Sequence, residues 1–96
     1  MAENLYLVAY DIGHPRRWRR VFKLLHGYGD WLQLSVFQCR LSRQRQTSLC
    51  ERLSRLIDPA ADRVLVVDLG PADHVIPHIT CLGAPYQPIE QGPRIL

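Results

Sequence analysis

An eleven-residue β-type run, Trp31 to Leu41, lies between two arginine-rich amphipathic stretches, and it restricts what this chain can fold into. A strand is usually about six residues long, so a tight hairpin near Ser35 is expected to split the run into two antiparallel strands. The preceding stretch, residues 15–26, has Trp18, Val21, Phe22 and Leu25 at the i, i+3, i+4, i+7 spacing of a buried helical stripe. Arg16, Arg17, Arg19, Arg20 and Lys23 occupy its other face. Pro15 suits the first helical turn, where its missing N–H costs nothing, and Gly27 and Gly29 close the helix.

The flanking segments complete the order. Residues 5–12 are rich in β-formers and run into a Gly13-His14-Pro15 break, so they read as a first strand. Residues 43–57 read as a second helix, with Leu49, Cys50, Leu53, Leu56 and Ile57 inward and arginines outward. Asp58-Pro59 stops it, because the residue before proline disfavours helix. Residues 63–69 form a strand closed by Gly70-Pro71, and a weaker strand is expected at 78–82. The order β-α-β-β-α-β predicts an α+β, ferredoxin-like domain over residues 1–83, with a C-terminal tail at 84–96. In that tail, after several prolines, only Ile89, Ile95 and Leu96 look buriable.

A chain of 96 residues supports one thin core and often completes its burial against a second copy, so a homodimer is expected. No run approaches the roughly 18 apolar residues of a membrane span. The opening Met1-Ala2-Glu3-Asn4 lacks the features of a secretory signal, which favours a cytoplasmic protein without membrane partners. Cys39, Cys50 and Cys81 are odd in number and widely spaced, so they read as buried free thiols rather than a disulfide or zinc set.

Charge is unevenly distributed. Ten of the twelve basic residues fall between His14 and Arg55 against only Asp30 and Glu51, a local net charge of +8; the rest of the chain carries −5. Arg40, Arg43, Arg45, Arg52 and Arg55 extend the basic stretch beyond the first helix. Such a stretch suits a polyanion, although solvated basic helix faces are also common.

Asp11, closing the first strand just where side chains leave the core, is the leading candidate for chemistry. A carboxylate there is a hard ligand suited to Mg²⁺ or Mn²⁺, ions that keep several waters and complete their shell with substrate phosphates. The competing role is a helix cap, for which Asp11 comes rather early. One aspartate is a sparse site, and a symmetric dimer would bring two copies of Asp11 together. His14 could act as base, acid or further ligand, or simply be solvated. Arg16, Arg17, Arg19 and Arg20 carry guanidinium forks suited to phosphate. Tyr6, Tyr10, Trp31 and Phe37 could stack bases if they face outward from an open sheet. His74 and His78 are four apart, but Pro77 opposes a regular helix there and no metal is assigned to them.

Taken with its spacing, Tyr10-Asp11-Ile12, then the arginine cluster, Gly27-Tyr28-Gly29 and Gln33-Leu34-Ser35-Val36-Phe37-Gln38-Cys39, resembles the second CRISPR-associated protein family. That family supplies the small subunit of the CRISPR spacer-acquisition complex. The resemblance is strongest over residues 5–41, and its order holds through 63–69 and the Leu82-Gly83 turn. It implies a ferredoxin-like homodimer with paired Asp11 residues binding Mg²⁺, for which Mn²⁺ can substitute. It also implies a tail strand, around Pro88–Leu96, exchanged onto the partner's sheet. The implied activity is endoribonuclease-type phosphodiester hydrolysis on single-stranded RNA or duplex DNA, with a CRISPR integrase subunit as partner. Asp11, Arg17 and Arg20 are then the expected catalytic residues. Tyr10, His14, Arg16, Arg17, Arg19, Arg20 and Phe37 are the expected nucleic-acid contacts. The chain departs from the family pattern at Gly13-His14-Pro15 and at Gln38, where acidic or small polar residues are usual. The alternatives are a non-catalytic DNA-binding scaffold of the same complex, a stand-alone toxin-like ribonuclease, and a regulatory or RNA-binding module without chemistry.

Overall fold

Alternation along the first strand sets the layering. The computed structural model describes residues 2–84. In β1 (Glu3–Asp11), Tyr6, Val8 and Tyr10 are buried on one face, while Leu7, Ala9 and Asp11 alternate onto the other. Two helices cover the first face. α1 (Pro15–His26) buries Val21 and Leu25, with Trp18 and Phe22 packed against the core beside them. α2 (Arg43–Leu56) buries Leu49 and Leu53. Both stripes follow the spacing read from the sequence, because burial needs one apolar residue per helical turn.

The long β-type run is indeed two strands, β2 (Asp30–Gln33) and β3 (Val36–Ser42), joined at Leu34-Ser35. β4 (Arg63–Pro71) completes an antiparallel sheet in the order β2-β3-β1-β4. This is the expected ferredoxin-like arrangement, with β1 central and its end presented between two neighbours. Register places Val8 opposite Phe37 and Val66, and Asp11 opposite Arg63. A bulge between Leu5 and Tyr6 leaves Leu69 without a partner on β1. Beside it Gly70 adopts a φ of 109°, a region costly to side-chain-bearing residues.

A fully covered set of Phe37, Leu25, Leu41, Leu49, Val8, Val21 and Cys39 forms the centre of the core. The open face of the sheet is unlike it: Leu65, Val67 and Leu69 are 54%, 43% and 37% exposed. Over this face runs the extended segment 77–82, and the two enclose a cavity of about 410 Å³ lined by Leu7, Val36, Gln38, Leu69, Ile79 and Leu82 among others.

Two expectations are corrected. Residues 78–82 are not a strand; after a short 3₁₀ turn at Ala72–His74 the described chain has no regular structure. Pro77 removes a ladder donor immediately before that stretch, and Ile76, Ile79 and Leu82 around it remain exposed. Cys81 is exposed rather than buried, for the same reason, whereas Cys39 is buried and Cys50 partly so. The expected tail strand around Pro88–Leu96 lies outside the described residues. Among the described residues, no helix is long and apolar enough to cross a membrane.

Candidate functional site

Asp11 stands at the exposed tip of β1, on the open side of the sheet, because its neighbour Tyr10 is 4% exposed and turned under the helices. Tyr10 also fixes what lies to one side. Its amide donates to the Ser35 carbonyl at 3.0 Å, and its hydroxyl donates to the Leu34 carbonyl at 3.1 Å, so the β2–β3 turn docks beside the strand tip. On the other side stands Arg63, the cross-strand partner of Asp11 and likewise exposed. Directly opposed residues on one sheet face lie close enough to interact.

The loop leading from Asp11 into α1 is tied down by Asp62. One carboxylate oxygen accepts from the Gly13 amide at 2.8 Å; the other accepts from the Asp58 amide at 2.8 Å and from Arg17 Nε at 2.7 Å. Arg17 Nη2 adds a contact at 3.2 Å. The Asp62 side chain is fully covered. The Arg17 fork, with help from the two amides, holds the carboxyl well below the usual range, outweighing the upward push of burial.

His14 begins the helix. Its Nδ1 accepts from the Arg16 amide at 3.1 Å while its backbone is extended, the geometry of an N-cap. The capping role considered for Asp11 therefore belongs to His14, and the Asp11 carboxylate makes no hydrogen bond or salt bridge among the described residues. With Nδ1 accepting, the neutral imidazole carries its proton on Nε2.

Beyond the cap, Arg16, Arg19, Arg20 and Lys23 share one exposed face, and no acidic residue lies in the first turn of α1. Among the described residues none of these four makes a salt bridge. α2 lies alongside and contributes exposed Arg43, Arg45, Arg52 and Arg55. The end of α1 meets the start of α2 through Arg45, whose Nη2 donates to the Gly27 carbonyl at 3.3 Å and whose guanidinium sits 4.7 Å from the Tyr28 ring centre. Arg40 is different: it bridges Glu3 and Asp73 at the opposite end of β1.

The structure thus gathers Asp11, His14, Arg16, Arg19 and Arg20 at one end of the molecule. Arg17 is there too, with its Nε and Nη2 engaged by Asp62 and its side chain partly exposed. Tyr10 and Phe37 are corrected as base-stacking residues. Both lie on the helix-covered face, with Phe37 wholly buried, as do Tyr6 and the partly buried Trp31. Two residues escaped the sequence reading. Arg63 becomes visible once β4 is known to start opposite the end of β1. Asp62 gave no local signal, since its partners lie up to 49 positions away.

Among the described residues, no group of three histidine, cysteine or acidic side chains is arranged to hold a metal. Asp11 is the one carboxylate at this end that is both exposed and free of a hydrogen-bonded partner among the described residues.

Comparison with known proteins agrees with this geometry. A family model for CRISPR associated protein Cas2 matches residues 4–74. A CRISPR-associated endoribonuclease Cas2 of Geobacter sulfurreducens is 51% identical over 87 residues, spanning 91% of this chain and 92% of that one. A CRISPR-associated endoribonuclease Cas2 of Rhodospirillum rubrum is 48% identical over 95 residues, spanning 99% and 93%. A crystal structure of a hypothetical protein from Thermus thermophilus superposes with a TM-score of 0.73 at 33% identity, covering 91% of this chain and 99% of the other. The matched span runs from the first strand through both basic helices to the end of β4, so the fold, the Asp11 tip and the arginine face all fall inside it, and the chain belongs to the Cas2 family of CRISPR-associated proteins.

Proposed function

We propose that this chain is a metal-dependent endonuclease that hydrolyses phosphodiesters at Asp11 and serves CRISPR spacer acquisition as a homodimer beside an integrase subunit. The observation that carries this reading is the position of Asp11: an exposed carboxylate at the tip of a central strand, with Arg63 opposite and a helix following whose exposed Arg16, Arg19, Arg20 and Lys23 make no salt bridge among the described residues. The relatives' names, endoribonuclease in both cases, support the same chemistry.

A single carboxylate fits Mg²⁺, which commonly takes one or two carboxylates and fills its shell with waters and phosphate oxygens. A second copy of the chain would supply the second Asp11. When bound, the ion would polarise a phosphoryl oxygen and lower the pKa of a coordinated water. The chain's own residues account for the rest. Arg16, Arg19, Arg20 and Arg63 hold the phosphate and offset charge that develops on its oxygens. Arg17 and Asp62 keep the Gly13 loop, and with it Asp11, in place.

The homodimer is supported by the open sheet face. Leu65, Val67 and Leu69 form an apolar surface on a small domain, of the kind that a second copy covers.

A second reading, a DNA-holding scaffold without cleavage, is favoured by the rows of exposed arginines on both helices, which suit a duplex backbone more than a single reacting phosphate. Cleavage of labelled single-stranded RNA and duplex DNA, with and without Mg²⁺, decides between them. Metal-dependent activity reduced about a hundredfold or more by Asp11→Ala supports the nuclease. Equal activity in both proteins marks a contaminant, and binding without cleavage leaves the scaffold.

A further inference from the structure

Beside Asp11, on the helix-covered side of the strand tip, lies an open groove of about 570 Å³ lined by Ile12, His14, Pro15, Trp18, Arg19 and Leu34. Its volume falls within the roughly 300–1,000 Å³ of small-molecule sites. Its walls are apolar and aromatic. Leu34 is 65% exposed at the tip of the β2–β3 turn, and Tyr10 holds that turn in place through the Leu34 carbonyl. The Trp18 ring is stacked on Phe22 with centroids 5.1 Å apart and planes 11° from parallel, so the groove borders the end of an existing aromatic stack. Arg19 lines it, and Arg16 and Arg20 stand exposed on the same helix; none of the three makes a salt bridge among the described residues.

We propose that this groove receives one unpaired nucleobase of the nucleic-acid substrate, adjacent to the phosphate presented to Asp11. The inference rests on the nuclease or scaffold reading only in taking nucleic acid as the ligand. A base offers a flat, apolar π-face and a polar edge, and it arrives attached to an anion. The groove offers the complements: Trp18 and Leu34 as walls, the Nε2–H of His14 as a donor, and arginines at the rim. A base within a duplex is sandwiched by its neighbours and has its edge engaged, so only an unpaired or extruded one can enter. Ile12 is one peptide unit from Asp11, so base and scissile phosphate belong to the same or adjacent nucleotides. The basic helix faces would thus bind backbone generally, while this groove distinguishes single-stranded or frayed positions from paired ones.

The test is metal-free equilibrium binding of short single-stranded RNA and DNA oligonucleotides, read by anisotropy, with an abasic nucleotide placed at each position in turn. One position is expected to weaken binding by roughly five- to 150-fold, the range for losing one stacked base. Leu34→Asp, a change at an exposed site, is expected to produce a similar loss and to abolish the positional effect. Trp18→Leu, which keeps an apolar side chain against the core, is expected to do the same, and Arg40→Ala to change nothing. The RNA and DNA arms then report which sugar the site accepts. A flat abasic profile with unchanged affinity in Leu34→Asp overturns the groove. So does a change in self-association of Leu34→Asp by sedimentation without a change in oligonucleotide affinity, since the groove then belongs to a protein contact. Cleavage is scored separately with Mg²⁺. A flat profile in an enzyme that cuts overturns the groove alone, whereas base-dependent binding without cutting supports the groove and overturns the nuclease.

Discussion

Arg17 Nε lies 2.7 Å from a carboxylate oxygen of Asp62, and through that carboxylate α1 is locked to both the Gly13 loop and the Asp58 turn. Two regions 45 or more positions apart meet on one covered side chain. Asp62→Ala leaves two backbone donors and a partly covered guanidinium without their acceptor, which is costly where water cannot replace it. We expect this variant to melt roughly 5 °C or more below wild type, an effect resolved by thermal denaturation. It should also reduce activity under folding conditions, because the Gly13 loop that follows Asp11 loses its anchor.

The same contact predicts an acid limb. The carboxyl is held below its ordinary value, so its contribution to stability is fully present above the unfolded pKa of about 3.9 and is lost as pH falls through that value toward the folded one. Wild type should therefore lose stability relative to Asp62→Asn below about pH 4, and the gap between them should be constant above about pH 5. Chemical denaturation across this range measures it; a gap that instead closes near neutrality would remove Asp62 as the source.

Backbone binding should be additive over the free cations and absent from the paired one. Neutralising Arg16, Arg19 and Arg20 one at a time should each lower the slope of log affinity against log salt by about 0.7 to 0.9 if each holds one phosphate. Arg40→Ala should leave the slope unchanged, since Arg40 is engaged by Glu3 and Asp73 and sits at the far end of β1. Titrations at several salt concentrations provide the comparison.

The helical stripes, the hairpin and the strand order were legible because each is a local periodic signal: one apolar residue per turn, or alternation along a strand. Asp11 was legible as a charge ending an apolar run. What the stripes do not reveal is which sheet face the helices cover. That choice buries Tyr10 and Phe37 and exposes the adjacent Asp11, so adjacent residues on one strand take opposite roles. Asp62 and Arg63 were invisible for another reason: their meaning is set by register and by contacts across 45 or more positions, with no nearby pattern to mark them. The segment 78–82 has a strand's composition but, with Pro77 before it, no neighbour in the described chain to pair with.

The cysteines should separate cleanly by reactivity. Burial pushes the Cys39 thiol up to about 11, and the thiolate is the reactive form, while Cys81 is exposed. Native protein should be alkylated at Cys81 within the time that Cys39 remains unmodified, and denaturant should expose both. Peptide mass mapping reads the order directly.

Gly29 should accept no side chain. A Cβ there would fall under 3.0 Å from the Gln38 carbonyl oxygen and from both Sγ and Cα of Cys39, against backbone and a fully buried side chain that cannot move aside cheaply. Overpacking of this kind costs about 1–3 kcal/mol, and in a domain with so small a core that is a large share of the total. Gly29→Ala is thus expected to lower the unfolding free energy by that amount, read from chemical denaturation. Gly27→Ala provides the contrast, because its only close neighbour would be the Leu24 carbonyl oxygen at 3.4 Å and its φ of −83° suits any residue. If the two variants were equally destabilised, the close approach of β3 to the Gly29 turn would not be the cause; a selective loss in Gly29→Ala ties the turn after α1 to the hairpin that borders the Asp11 end.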